Sequence, residues 1–114
     1  TQFTLDVQTA SAYAGAKFAS NVTTGDAIYV SFNCSFDSGS PSPKVALRNV
    51  DTVLNGGVRS NEENITEGFN SFTLTSTSSD ASGIVWSEGD DTVIFSVTDI
   101  KVGNFHLGVI EFTN

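Results

Sequence analysis

A chain of 114 residues has room for one hydrophobic core and not two, so residues 1–114 are expected to form a single domain with no internal boundary. Apolar residues at 39% and charged residues at 16% leave a remainder rich in Ser, Thr, Asn and Gly, which favours strands and turns over helices. Thirteen acidic against five basic residues give a net charge of −8, which repels phosphates and anionic lipid head groups and argues against nucleic acid as a partner.

Phe3, Leu5 and Val7 alternate with polar residues and predict a first strand, and Tyr13 to Phe18, rich in small residues, predicts a second. The clearest signal spans residues 27–36. There Ile28, Val30, Phe32, Cys34 and Phe36 share one face and Ala27, Tyr29, Ser31, Asn33 and Ser35 the other, a period of two that a helix cannot produce. This reads as a long central strand, entered through Thr24-Gly25-Asp26 and ended by a loop whose prolines, Pro41 and Pro43, cannot donate to a ladder.

Val45 and Leu47 mark a shorter strand, followed by a loose stretch with a turn signal at Asn55-Gly56-Gly57 and a polar, acidic segment from Ser60 to Gly68 read as a solvated loop. Phe72 and Leu74 anchor the next strand, and Ile84 and Trp86 share a face of the one after it. In Thr92 to Val102 the apolar parity switches from Val93, Phe95 and Val97 to Ile100 and Val102, which predicts a β-bulge near Thr98-Asp99. Phe105, Leu107 and Val109 oppose His106, Ile110 and Phe112 in a closing strand that is apolar on both sides toward its end.

These elements add up to an all-β chain, an antiparallel two-sheet β-sandwich of eight or nine strands, with a closed barrel as the structural alternative. The single Cys34 excludes an intrachain disulfide and a cysteine-built metal cage. No stretch approaches the roughly 20 apolar residues of a helical membrane span, so membrane insertion is not expected.

Ala12-Tyr13-Ala14-Gly15-Ala16, the Thr24-Gly25-Asp26 turn into Tyr29-Val30-Ser31-Phe32, Gly68-Phe69-Asn70-Ser71-Phe72-Thr73-Leu74, and Phe95-Ser96-Val97-Thr98-Asp99-Ile100-Lys101-Val102 follow one another in this order. Together they resemble the jelly-roll modules of the carbohydrate-binding family that includes families four and nine and their relatives in bacterial and phage structural proteins. The resemblance implies a jelly roll that lays sugar rings on exposed aromatics. It also puts Asp99 at the position of a late Asp that completes a structural calcium site in the family. The family's opening Asn and Phe-Glu segment has no equivalent here, and one carboxylate falls far short of the six to eight oxygens Ca²⁺ takes, so no cofactor is expected, and a structural calcium at Asp99, with Asp90 and Asp91 as weak additions, is the candidate weighed against that. Phe105 to Phe112 extends beyond the position where many relatives stop.

For a ligand platform, Tyr29, Arg48, Asn49 and Trp86 are the candidates, since an aromatic with a few polar groups is what a ligand site requires. The competing reading of Trp86 is a core residue beside Ile84, and Tyr29 is an even choice between the two. His106 is the only histidine and no nucleophile motif accompanies it; Glu62, Glu63, Glu88, Asp90 and Asp91 read as solvated loop charge. The sequons at Asn21, Asn33 and Asn64 are no more than so Ser/Thr-rich a chain produces by chance.

The expected function is a non-catalytic surface module, a virion or other extracellular decoration protein, located on a virion surface or outside the cell. Its partners are other structural subunits or a glycan, in an oligomer or larger assembly. Phe105, Leu107, Ile110 and Phe112 are the expected interface, because a strand apolar on both faces needs cover. The alternatives are a glycan-binding module of a secreted polysaccharide-degrading enzyme and, third, a small hydrolase.

Overall fold

The alternation over residues 27–36 becomes the ten-residue strand β3 (Ala27–Phe36) of a computed structural model in which residues 5–8, 15–20, 22–36, 43–52, 57–88, 94–103 and 110–112 are described. Eight further strands are present among the described residues: β1 (Leu5–Gln8), β2 (Gly15–Lys17), β4 (Lys44–Arg48), β5 (Glu63–Asn64), β6 (Gly68–Thr75), β7 (Gly83–Glu88), β8 (Ile94–Gly103) and β9 (Ile110–Phe112). They form two antiparallel sheets, ordered β1-β8-β3-β6 and β5-β4-β7-β2-β9. The protein is a β-sandwich, and β3 is an interior strand of the four-stranded sheet.

The pairings β1–β8, β2–β7, β3–β6 and β4–β5 are all antiparallel, so the first half of the chain folds back along the second like a long hairpin shared between two sheets. β9 is added outside this set, pairing with β2 at the edge of the five-stranded sheet.

Between the sheets, Ile28, Val30, Phe32, Cys34, Leu74, Phe95, Val97 and Ile100 from one layer meet Ala16, Val45, Leu47, Ile84 and Trp86 from the other. Phe36 is half-buried against Phe95, ring centroids 5.6 Å apart. Opposite the two-residue step from Ser31 to Asn33 of β3, β8 takes three residues, from Lys101 to Thr98. The expected bulge is therefore there, and it keeps Ile100 in the core after the parity switch.

Two sequence readings are corrected. The stretch 60–68 is largely exposed, as read, but it is not a loop throughout: it carries β5, the Leu47 amide donates to Ser60 Oγ at 2.8 Å, the Ile65 amide donates to the Pro43 carbonyl at 3.0 Å, and Ile65 is buried. Ala46 and Arg48, on the polar side of the β4 alternation, are buried as well. Phe3, Tyr13, the 37–42 part of the proline loop, the Asn55-Gly56 turn and most of the Glu88–Asp91 turn lie outside the described residues.

Candidate functional site

Because β3 has neighbours on both sides, its register arranges the outer face of the four-stranded sheet in rows. Tyr29 lies between Thr73 of β6 and Gly103 of β8, Ser31 between Ser71 and Lys101, and Asn33 between Phe69 and Thr98. Phe69, Ser71, Thr73 and Thr75 are exposed along β6, and Asp99, Lys101 and Gly103 along β8. The result is an open polar face with an aromatic ring in the first row and another in the third.

Tyr29 is 52% exposed and Phe69 69% exposed, and they are the exposed large hydrophobics of the described residues. Tyr29 lies alongside Gly103: a Cβ placed there would sit 3.6 Å from Tyr29 Cβ and 3.9 Å from Tyr29 Cδ2, ordinary van der Waals contact. Phe69 was not singled out from the sequence, although parity held the signal. Phe72 and Leu74 share one face of β6, which puts Phe69 on the other. Asn70 takes the inner position opposite Phe32, where it is buried, and its side chain bonds Thr66 N–H at 2.9 Å, Thr66 C=O at 2.8 Å and Gly68 C=O at 3.0 Å.

Of the four residues expected to form a platform, only Tyr29 lies on this face. Trp86 is fully buried between the sheets, edge-on to Phe32, which agrees with its core reading and removes it from a ligand surface. Arg48 is buried at the end of β4 in the other sheet. Asn49 Oδ1 accepts from the Asp51 amide at 3.0 Å and lies 3.5 Å from Ser82 Oγ. Arg48 and Asn49 thus belong to a polar knot around Asp80 and Arg59, because the pairing of β4 with β7 puts them at the opposite layer of the sandwich from Tyr29.

In that knot Arg59 Nε and Nη2 donate to the two Asp80 oxygens at 2.7 and 3.2 Å, and Arg59 Nη1 donates to the Gly57 carbonyl at 2.9 Å. The fork of hydrogen bonds from Arg59, with a further one from Ser78, holds the Asp80 carboxyl well below the usual carboxylate range. Bonds from the Thr23 backbone and hydroxyl lower the pKa of Asp26 in the turn before β3. Burial, with the nearby Glu67 charge, pushes the Cys34 thiol up to about 12. All of these groups lie off the outer face of the four-stranded sheet.

Asp99 is exposed on the bulge, and its Oδ2 accepts from Asn33 Nδ2 at 3.1 Å. Among the described residues no group of three or more His, Cys, Asp or Glu side chains comes together at Asp99 or elsewhere. Glu62 is exposed and Glu63 half-buried. Of the sequons, Asn33 is committed to Asp99 inside a paired strand and Asn64 is exposed, while Asn21 lies outside the described residues. Phe105, His106 and Leu107 also lie outside them, and so do Asp90 and Asp91; Ile110 and Phe112 are placed in β9 by backbone alone.

A face of this kind can stack apolar ring faces on two aromatics and satisfy hydroxyl groups with the Ser, Thr, Asn, Asp and Lys side chains between and beside them. No family model matches the chain, and neither does a curated protein or a solved structure.

Proposed function

We propose that this chain is a non-catalytic surface module that binds a glycan on the outer face of its four-stranded sheet. One observation carries the reading: the two exposed aromatics share that face, Phe69 standing opposite Asn33, four residues along β3 from Tyr29 and so about 13 Å away along the strand. Leaving two large apolar rings in water has a cost that a soluble domain recovers when a ligand covers them. The strand order, in which the two halves of the chain pair end to end across both sheets, supports a jelly roll with one added strand.

A glycan array probed with the parent chain and with the Tyr29→Ala/Phe69→Ala double variant tests this. Binding by the parent and its loss in the double variant is the expected result. A parent that binds nothing, or a double variant that binds equally well, would sink the reading.

A second reading, decoration of a virion or other extracellular assembly, is favoured by the place of β9. The strand forms a sheet edge, where a neighbouring subunit can extend the pairing.

A further inference from the structure

Arg59 hydrogen-bonds to both sides of the sandwich with its own backbone. Its amide donates to the Leu47 carbonyl of β4 at 2.7 Å, and its carbonyl accepts from the Thr77 amide, just past β6, at 2.8 Å. Ser60 then pairs with Ser76 in an antiparallel bridge, while its Oγ accepts from the Leu47 amide at 2.8 Å. Residues 59–61 therefore lie along the outer edge of β6, the end strand of the four-stranded sheet, and tie it to the other sheet.

Asn61 continues this line with its side chain. Oδ1 accepts from the Thr75 amide at 2.8 Å and Nδ2 donates to the Thr73 carbonyl at 3.0 Å, two groups that a neighbouring strand would otherwise take. Nδ2 also donates to Glu63 Oε2 at 2.5 Å. The amide can sit only one way round, because turning it over would set its NH₂ against the Thr75 N–H and its oxygen against two acceptors.

What this side chain covers is a strand able to pair with others. Residues 68–79 carry no charge in a chain of net charge −8, and an uncharged, proline-free strand with Phe, Thr and Leu is a template for another strand when its edge is open. By alternation, the backbone groups of Phe69 and Ser71 point to the same edge as those of Thr73 and Thr75. With Asn61 in place that edge offers another chain at most residues 69–71; without it, residues 69–75.

We propose that Asn61 is an autoinhibitory latch that keeps β6 from pairing with β6 of a second copy of this chain. A second copy is the occupant because two identical strands meeting antiparallel are self-complementary about a two-fold axis, and this stretch sets no like charges against each other. The latch is independent of the glycan reading. It closes one side of the sandwich to sheet extension and leaves the opposite sheet ends, formed by β1 and β9.

Sedimentation equilibrium over a concentration series tests this on the full chain and its Asn61→Ala, Asn61→Asp and Asn61→Ala/Ser71→Lys variants, with thermal melts to show which are folded. Asn61→Asp keeps the size of the side chain but cannot donate to Thr73, and it sets a second carboxylate beside Glu63. Expected is self-association at least about tenfold tighter in both single variants than in the parent, the scale of the backbone bonds newly offered. The double variant should return to the parent's value, because lysines then face each other across the pair. Hydrogen exchange at the Thr75 amide should quicken in the dilute single variants and slow as they are concentrated. Folded single variants that associate no more tightly than the parent overturn the proposal, and so does association that survives Ser71→Lys. If neither single variant folds, Asn61 is required by the fold itself and the latch is equally wrong.

Discussion

Trp86 of β7 meets Phe32 of β3 edge to face, ring centroids 6.1 Å apart and ring planes at 87°, so that one aromatic pair ties the two sheets together. Both rings are buried, and Phe32 also packs on Phe72 at 6.2 Å. Phe32→Ala removes one side of this contact and leaves a cavity that strands on both sides hinder from closing. A loss of about 3–5 kcal/mol is expected in urea denaturation; a loss under about 0.5 kcal/mol, the size typical of surface sites, would remove Phe32 from the core.

Gly83 is constrained by what lies next to it. A Cβ there would come 2.3 Å from the Ala16 carbonyl oxygen and 2.9 Å from Val50 Cγ1, so β2 and the single 3₁₀ turn Val50–Thr52 would both have to move. Gly83→Ala is therefore expected to cost about 1–3 kcal/mol through overpacking, or more if the β2–β7 pairing breaks. Equilibrium denaturation measures it, and a variant as stable as the parent would contradict the close approach.

Cys34 is 4% exposed, with its thiol pushed up to about 12, chiefly by burial. The thiolate is the reactive form, so iodoacetamide at mildly alkaline pH should leave the folded chain unmodified and label it fully in denaturant. Rapid labelling of the native chain would show that β3 opens.

Asp80 has a folded pKa held below its ordinary 3.8, mainly by the Arg59 fork. Such a group binds fewer protons folded than unfolded, so its contribution to stability is present above 3.8 and is lost as pH falls below that value toward the lower folded pKa. Urea midpoints measured from neutral pH into acid should show Asp80→Asn less stable than the parent at neutral pH, with the difference shrinking below pH 3.8. Because the Asp80 side chain is 45% exposed, the effect should also shrink in high salt. A difference that stays constant across the range would exclude an ionic role.

Removing residues 104–114 separates docking from folding. Since β9 lies outside the four pairings that join the two halves of the chain, the truncated chain should still fold. If decoration is the function, it should no longer enter an assembly that the full chain forms, as read by native mass spectrometry. Failure to fold, or an intact chain that is strictly monomeric, would remove the docking reading.

Alternation along single strands was enough to place much of the fold. Period two put Ile28, Val30, Phe32 and Cys34 inward, and the parity switch after Val97 located the bulge that the β3–β8 register contains. Such patterns are legible because a strand's two faces are defined by adjacent residues alone. Which outward face stays open is a different matter. Tyr29 and Ala46 both stand on the outward side of their strands, yet Tyr29 is exposed and Ala46 buried, and Arg48 is taken into a knot with residues distant in sequence. Phe69 and Asn33 become a site only because β6 pairs with β3 in one register. The sequence by itself determined the strand character of the chain, the inward face of β3 and the position of the bulge, whereas the tertiary structure decided that β5 forms within 60–68 and which sheet offers a surface, since cover and cross-strand neighbours come from long-range pairing that no local period encodes.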